Sequence, residues 1–307
     1  MLGLGLIGGS IARAVAAGHD ASATDGRPSL VAWTPAGDGP RAALAAGVID
    51  DVARDLIDAV HGADLVVLAA PALATLRLLD DLAGLEPGFL RPTATVTDVA
   101  SSKAMIVGRA DALGLRFVGG HPMAGREKAG FGASSADLFA RRPWVVVPGR
   151  GASAEDVARV EWLASACGAR PVRMLGEAHD AAVAAISHAP LVVAAALVEA
   201  VAGVPGERSS EDWDTVRSLA AGGWRDMTRL ARGDPEMGTG MLATNGTAVA
   251  ARLRDVRDRL DAWIADLDAA TGPDADALLE RLAADRVRAR ETPSEEEAAE
   301  DGPWRPR

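Results

Sequence analysis

Gly3, Gly5 and Gly8 in "MLGLGLIGGS" have the spacing G-x-G-x-x-G. In such a turn the first glycine permits a tight bend, the second lets the backbone approach a pyrophosphate, and the third lets the next helix pack against a sheet. The helix N-terminus, here with Leu6 and Ile7, then points at phosphate charge. In "TDVASSK", residues 97–103, Ser101, Ser102 and Lys103 stand at a strand-to-helix turn. In "VGGHPMAGRE", residues 118–127, His121 stands at a strand end and Pro122 stops the strand. A histidine so placed can accept a proton near neutral pH. Dinucleotide binding and proton abstraction are the chemistry these residues suit.

The elements that must position them follow from hydrophobic patterning. Strand-like runs occur at 30–33, 63–70 ("ADLVVLAA"), 94–99, 116–119, 144–148 and 170–175, with helical patterns at 51–60, 73–82, 101–112 and 154–166. This alternation predicts an α/β, Rossmann-type doubly wound sheet, mostly parallel and covered on both faces, over residues 1–175. From 176 to 290 strand signals vanish and helical patterns run at 179–201, 211–232, 235–267 and 274–289. This half is all-α, and Ala-rich faces such as "LVVAAALVEAV" suit a bundle or a dimer interface. Residues 291–307, with six acids and three prolines, read as a disordered acidic tail.

Bulk properties narrow the class. A net charge of −11 argues against a nucleic-acid partner. No run of 18 or more apolar residues lacks a charge, which argues against a membrane span, and no basic segment precedes the apolar start as in a signal peptide. The single cysteine, Cys167, forms no internal disulfide and fits a cytoplasmic protein. No Cys/His cluster has metal-ligand spacing, so no metal is expected.

Two features of the first domain depart from the usual pattern. A Rossmann turn follows a buried central strand of about five or six residues, yet only Met1 and Leu2 precede Gly3. The first strand thus reads as truncated, which would leave two neighbours unpaired and the domain unstable. The acid expected after the second strand is also missing. Thr34 stands there, Asp25 precedes the strand, and Arg41 nearby could tolerate a 2′-phosphate. The cofactor is NAD or NADP, held by Gly3, Gly5, Leu6, Ile7, Gly8 and Thr34, with Ala70 and Pro71 at another strand end.

"GLGLIGGS", "TDVASSK", "GGHPMAGRE", "HDAAVAAISHAP" and "WRDMTRLARGDPEM" followed by Asn245 occur together and in order over roughly residues 2–285. Together they resemble the prephenate/arogenate dehydrogenase family of tyrosine biosynthesis. The resemblance implies a cyclohexadienyl substrate, prephenate or arogenate. Hydride passes from its hydroxyl-bearing carbon to NAD(P)+, a base takes the hydroxyl proton, and the ring carboxylate leaves as CO2. His121 matches the family's proton acceptor, Ser101 a serine near that hydroxyl, and Arg229 an arginine that grips a substrate carboxylate. Ser102 falls on a motif position at the substrate, and Lys103 on one that suits either a structural role at the helix start or a role at the substrate. A homodimer formed through the helical half is also implied.

His179 and His188 lie nine residues apart on one expected helix, about 180° round from each other. They can share a ligand only if the helix bends, which Pro190 allows because it cannot donate to the carbonyl of Ile186. His188 is then the pocket residue and His179, beside Asp180, a structural one. Leu191 and Gly238 stand where many family members carry histidine and tryptophan near the substrate's side-chain end, which leaves prephenate and arogenate both open. The alternatives are a related β-hydroxyacid or imine reductase, and a non-catalytic dinucleotide-binding dimer.

Overall fold

The computed structural model describes residues 1–18, 28–126, 128–204, 213–269 and 276–291. The first half alternates strands and helices: α1 Leu6–Ala17, β1 Val31–Ala32, α2 Asp38–Ala45, β2 Asp51–Val52, α3 Leu56–Val60, β3 Leu65–Leu68, α4 Ala72–Ala83, β4 Thr95–Asp98, α5 Ala104–Ala112, β5 Phe117–Pro122, β6 Pro143–Pro148, α6 Ala154–Ala166 and β7 Arg170–Arg173. Strands β3 to β7 form one sheet in sequence order, parallel except for the antiparallel β5–β6 pair. β1 and β2 pair in parallel beside it. The expected helix at 51–60 therefore begins as a short strand, because Asp51 and Val52 pair with Val31 and Ala32.

Leu2 joins the two sheets, bridging in parallel to Trp33 on one side and Leu68 on the other. Leu2 N–H donates to the Val67 carbonyl at 2.8 Å, Ala69 N–H to Leu2 O at 2.7 Å, and Trp33 N–H to Met1 O at 2.9 Å. Met1–Gly3 thus take the central place, and the unpaired slot expected there is closed along these residues.

Side chains alternate across the sheet as the two-residue strand period requires. Val66, Leu68, Val96, Phe117, Val145 and Val147 face Leu79, Leu82, Ile106 and Ala110 of α4 and α5. Val67, Val118, Trp144 and Val146 face Ile11 and Val15 of α1 and Val157, Val160 and Leu163 of α6. The sheet is apolar on both faces because both are covered.

The second half holds α7 Gly176–Val183, a π-turn Ala184–His188, α8 Ala189–Ala202, α9 Trp213–Ser218, α10 Gly222–Thr228, a 3₁₀ turn Leu230–Arg232, α11 Pro235–Ala269 and α12 Asp276–Arg290. The helix expected at 211–232 is thus divided. Asp25, and residues 292–307 of the expected tail, lie outside the described residues. Gly176–Ala202 is long and apolar enough to cross a membrane by length and composition alone. It also carries the polar residues of the site described next.

The halves meet where the parallel strands end. α11 packs on α4 and α5, and α7 on α5. Ser102 and Thr244 hydroxyls lie 2.6 Å apart across this junction.

Candidate active site

Parallel strands place their carboxyl ends on one edge, the usual location of a site in such a sheet. Here that edge gathers the glycine turn, the loop after Leu68, the turn after Asp98 and His121 on β5.

The glycine turn is built for close approach. Gly3 has φ +99°, and a Cβ there would lie 2.3 Å from Ala69 O. A Cβ at Gly8 would lie 2.4 Å from Gly3 O. By contrast, a Cβ at Gly5 would meet nothing within 4 Å, so the protein leaves that space open beside the start of α1. No side chain caps α1 at Gly5. The first amides of the helix, at Leu6 and Ile7, can therefore bind an external anion such as a pyrophosphate. Thr34 lies just beyond Trp33, where its hydroxyl accepts from Gly37 N–H at 3.0 Å. Arg41 is already paired with Asp38 at 2.7 Å. Ala70 and Pro71 follow β3, and Pro71 precedes the first turn of α4.

His121 is half-buried, and its Nδ1 lies 2.8 Å from His179 Nε2 with the rings 80° apart. His179 Nδ1 lies in turn 2.8 Å from Asp180 Oδ1. A carboxylate only accepts, so a neutral His179 carries its proton on Nδ1 and accepts at Nε2. His121 then donates from Nδ1 and keeps the Nε2 lone pair for an incoming proton. Burial, followed by His179, Lys103 and His188, pushes the His121 pKa well below its ordinary value. It is therefore neutral and able to act as a base at pH 7.

Asp180 is fixed by other bonds. Its Oδ1 accepts from Lys103 N–H at 2.7 Å and its Oδ2 from Ala104 N–H at 2.9 Å, so it caps α5. His179 is thus buried beside Asp180, as expected of a structural residue, and it also contacts His121 directly. The π-turn is the reason. Its i→i+5 bond, Ala189 N–H to Ala184 O, adds one residue to the turn, so nine residues span about 80° rather than 180°. Sequence spacing pointed to a bend at Pro190 without revealing this extra residue.

His188 is fully buried on the same side. Asn245 Nδ2 donates to Asp180 O at 2.8 Å and lies 3.1 Å from His188 Nδ1. This leaves His188 Nε2 as a donor, and among the described residues it has no protein partner. Burial lowers the His188 pKa, against Asp180, which raises it. Asn245 departs from helical geometry within α11 (φ −130°), so the kink lies at the residue that reaches the site. The family motif read from the sequence ended on Asn245 but gave it no role, since a polar residue inside a long helix gives no periodic signal.

The turn after β4 buries two of the residues expected near the substrate, and for Lys103 it favours the structural alternative. Ser102 is fully buried and bonded to Thr244, and Lys103 is fully buried and paired with Asp98. Asp98 also accepts from Ala100 N–H at 3.0 Å and Gly120 N–H at 3.1 Å. Burial pushes the Asp98 carboxyl up and the Lys103 amine down, each opposed by the other's charge. Asp98 thus ties β4 to the turn before α5 through Lys103 and to β5 through Gly120, the residue before His121. Ser101, half-buried, is the member of the turn left at its surface. Arg229 is exposed at the end of α10, beside the 3₁₀ turn that packs on α8. A Cβ on Gly238 would lie 3.4 Å from Leu191 Cδ2, so the two positions that depart from the family pattern face each other.

A doubly wound sheet with an open glycine turn and a neutral histidine at its carboxyl edge defines a nucleotide-dependent dehydrogenase. Residues 38–173 match the family model for the prephenate dehydrogenase nucleotide-binding domain, and 176–283 that for its dimerization domain. The chain belongs to the prephenate dehydrogenase family. It is 36% identical over 273 residues to prephenate dehydrogenase of Bacillus subtilis, covering 87% of this chain and 67% of that protein. Arogenate dehydrogenase of Synechocystis superposes with a TM-score of 0.74 at 32% identity, covering 94% of this chain and 98% of that one. Prephenate dehydrogenase of Aquifex aeolicus, solved with hydroxyphenyl propionate and NAD+, superposes with a TM-score of 0.81 at 25% identity, covering 95% and 96%.

Proposed function

We propose that this chain catalyses the oxidative decarboxylation of prephenate or arogenate with NAD+ or NADP+. The observation that carries the reading is a neutral His121, its Nε2 lone pair free, on the strand edge that holds the open glycine turn. A bound nicotinamide supplies the hydride acceptor. His121 Nε2 takes the hydroxyl proton as the C–O bond becomes a carbonyl. Loss of CO2 then returns electrons to the ring, and the imidazolium can hand the proton back to the phenolic oxygen. Aromatisation drives the step, so the protein mainly orients groups and holds charge.

Ser101 is assigned to the substrate hydroxyl, His188 Nε2–H to an acceptor on the substrate, and Arg229 to a substrate carboxylate. Gly3, Gly5, Leu6, Ile7, Gly8, Thr34, Ala70 and Pro71 are assigned to the cofactor. The protein works as a cytoplasmic homodimer, without nucleic acid or membrane as partner. The match of 176–283 to a dimerization domain supports pairing through the helical half, where a second copy would cover the apolar flank of α8.

Steady-state assays crossing both substrates with both cofactors, beside a panel of 3-hydroxy acids, test the reading. Turnover of prephenate or arogenate is expected; turnover of the hydroxy acids alone would overturn it. Sedimentation velocity reads the dimer.

A further inference from the structure

Asp180 serves two masters in the fold. Its carboxylate caps the first turn of α5, in the nucleotide-binding half, and also holds His179 Nδ1, in the helical half. His179 in turn reaches only as far as His121 Nδ1. Both ring nitrogens of His179 are engaged, Nδ1 by Asp180 and Nε2 by His121, so this histidine has no atom left for substrate and acts only through His121.

We propose that His179 and Asp180 are positioning residues that set the tautomer of His121. The inference rests on the reading of His121 as the base. Each bond in the row constrains the next. Asp180 can only accept, so His179 must donate from Nδ1. With His179 neutral, its Nε2 must then accept, so His121 must donate from Nδ1. His121 Nε2 is left without a proton, and only that nitrogen can take one from substrate. When it does, the imidazolium formed still donates from Nδ1 into the row, with the Asp180 charge behind His179. A neutral imidazole without such a partner exchanges between two tautomers, and one of them cannot act as a base at Nε2. The docking of α7 on α5 is thereby written into the base: if the halves shift apart, Asp180 loses its amide donors and the row loses its anchor.

The groups facing His121 are His179 from α7, His188 from the π-turn and Lys103 ahead of α5. Lys103 is committed to Asp98 and His188 to Asn245. His179 is thus the neighbour that hydrogen-bonds the ring.

The experiment compares His179→Leu, which removes the acceptor, with His179→Gln, whose side-chain carbonyl can still accept from His121 Nδ1. Alongside kcat and KM, the tautomer is read by long-range ¹H–¹⁵N correlation on [¹⁵N]histidine-labelled dimer, with His121 assigned by loss of its signals in His121→Asn. With five histidines per chain the spectrum is resolvable. In the unaltered protein His121 is expected as the Nδ1–H tautomer. His179→Leu should mix the tautomers and also leave the imidazolium formed in turnover without an acceptor at Nδ1, together lowering kcat by about 100-fold or more, with KM and dinucleotide affinity within about threefold. His179→Gln should restore the Nδ1–H form and keep kcat within about tenfold of the unaltered enzyme.

An Nε2–H tautomer in the unaltered protein overturns the inference, even if His179→Leu fails to fold. So does a His179→Leu enzyme with kcat within about threefold of normal, or a His179→Gln enzyme as slow as His179→Leu. His121→Asn separates the two readings. If it keeps turnover, the assignment of the base fails; if it loses turnover while His179→Leu does not, only the tautomer role fails.

Discussion

His121 Nδ1 and His179 Nε2 lie 2.8 Å apart, one ring edge-on to the other, although 58 residues separate them in sequence. The contact joins the last strand end of the nucleotide-binding edge to the first helix of the other half.

Replacing His121 by Asn should leave the melting temperature and dinucleotide affinity unchanged while kcat falls by about 10²–10⁴-fold, the usual worth of a general base. In the unaltered enzyme the base must be unprotonated, so activity is lost as pH falls through its pKa. Burial, with His179, Lys103 and His188 nearby, holds that pKa well below 6.5. The acid limb of kcat/KM should therefore lie below pH 6.5, as a pH–rate profile will show.

Gly5→Ala and Gly3→Ala should fail in different ways. The first adds a methyl to space the protein leaves open, so thermal stability should hold while dinucleotide Kd rises by about tenfold or more. The second forces a methyl into Ala69 O at φ +99° and should cost about 2–4 kcal/mol of stability. Denaturant melts beside cofactor titration by fluorescence distinguish them.

Arg229→Leu should raise KM for the substrate by about 10- to 150-fold, the worth of a charged hydrogen bond of about 1.5–3 kcal/mol. The dinucleotide KM should not move. An unchanged substrate KM would remove Arg229 from the site.

Lys103→Met leaves the Asp98 carboxylate buried without its counter-charge. A loss of about 3–5 kcal/mol is expected. The deficit should shrink as pH falls toward 4, because protonation of Asp98 removes the unpaired charge; urea melts at pH 7 and pH 4.5 test this.

Asp156 supplies a separate acid-sensitive anchor. Burial opposes its charge, but Thr95 Oγ1, Ser153 and Arg116 outweigh it and bring the pKa down to about 2. A carboxyl lowered on folding contributes stability above its unfolded pKa near 3.9 and loses it as pH falls toward 2. The contribution is about 2 kcal/mol, and Asp156→Asn should flatten the acid unfolding curve between pH 4 and 2.

Some of this was legible in the residues alone. Strand and helix periods located the sheet, since Val66 and Val67 must face opposite covered sides. The glycine spacing located the turn because only residues without a Cβ fit beside Ala69 and Gly3. His121 stood out because Pro122 ends its strand. These are local constraints, written within a few neighbouring residues.

Tertiary structure decided what those residues touch. Ser101, Ser102 and Lys103 are adjacent in sequence, yet one is left at the surface, one bonds Thr244 and one bonds Asp98. His179 faces His121 with His188 close by because a π-turn adds a residue that no periodicity announces. Asn245 reaches both His188 and Asp180 because α11 kinks over α4 and α5. Sequence specifies which way each side chain leaves its own strand or helix. Which distant group meets it depends on how two separately patterned halves dock, and that is set by packing across the whole molecule.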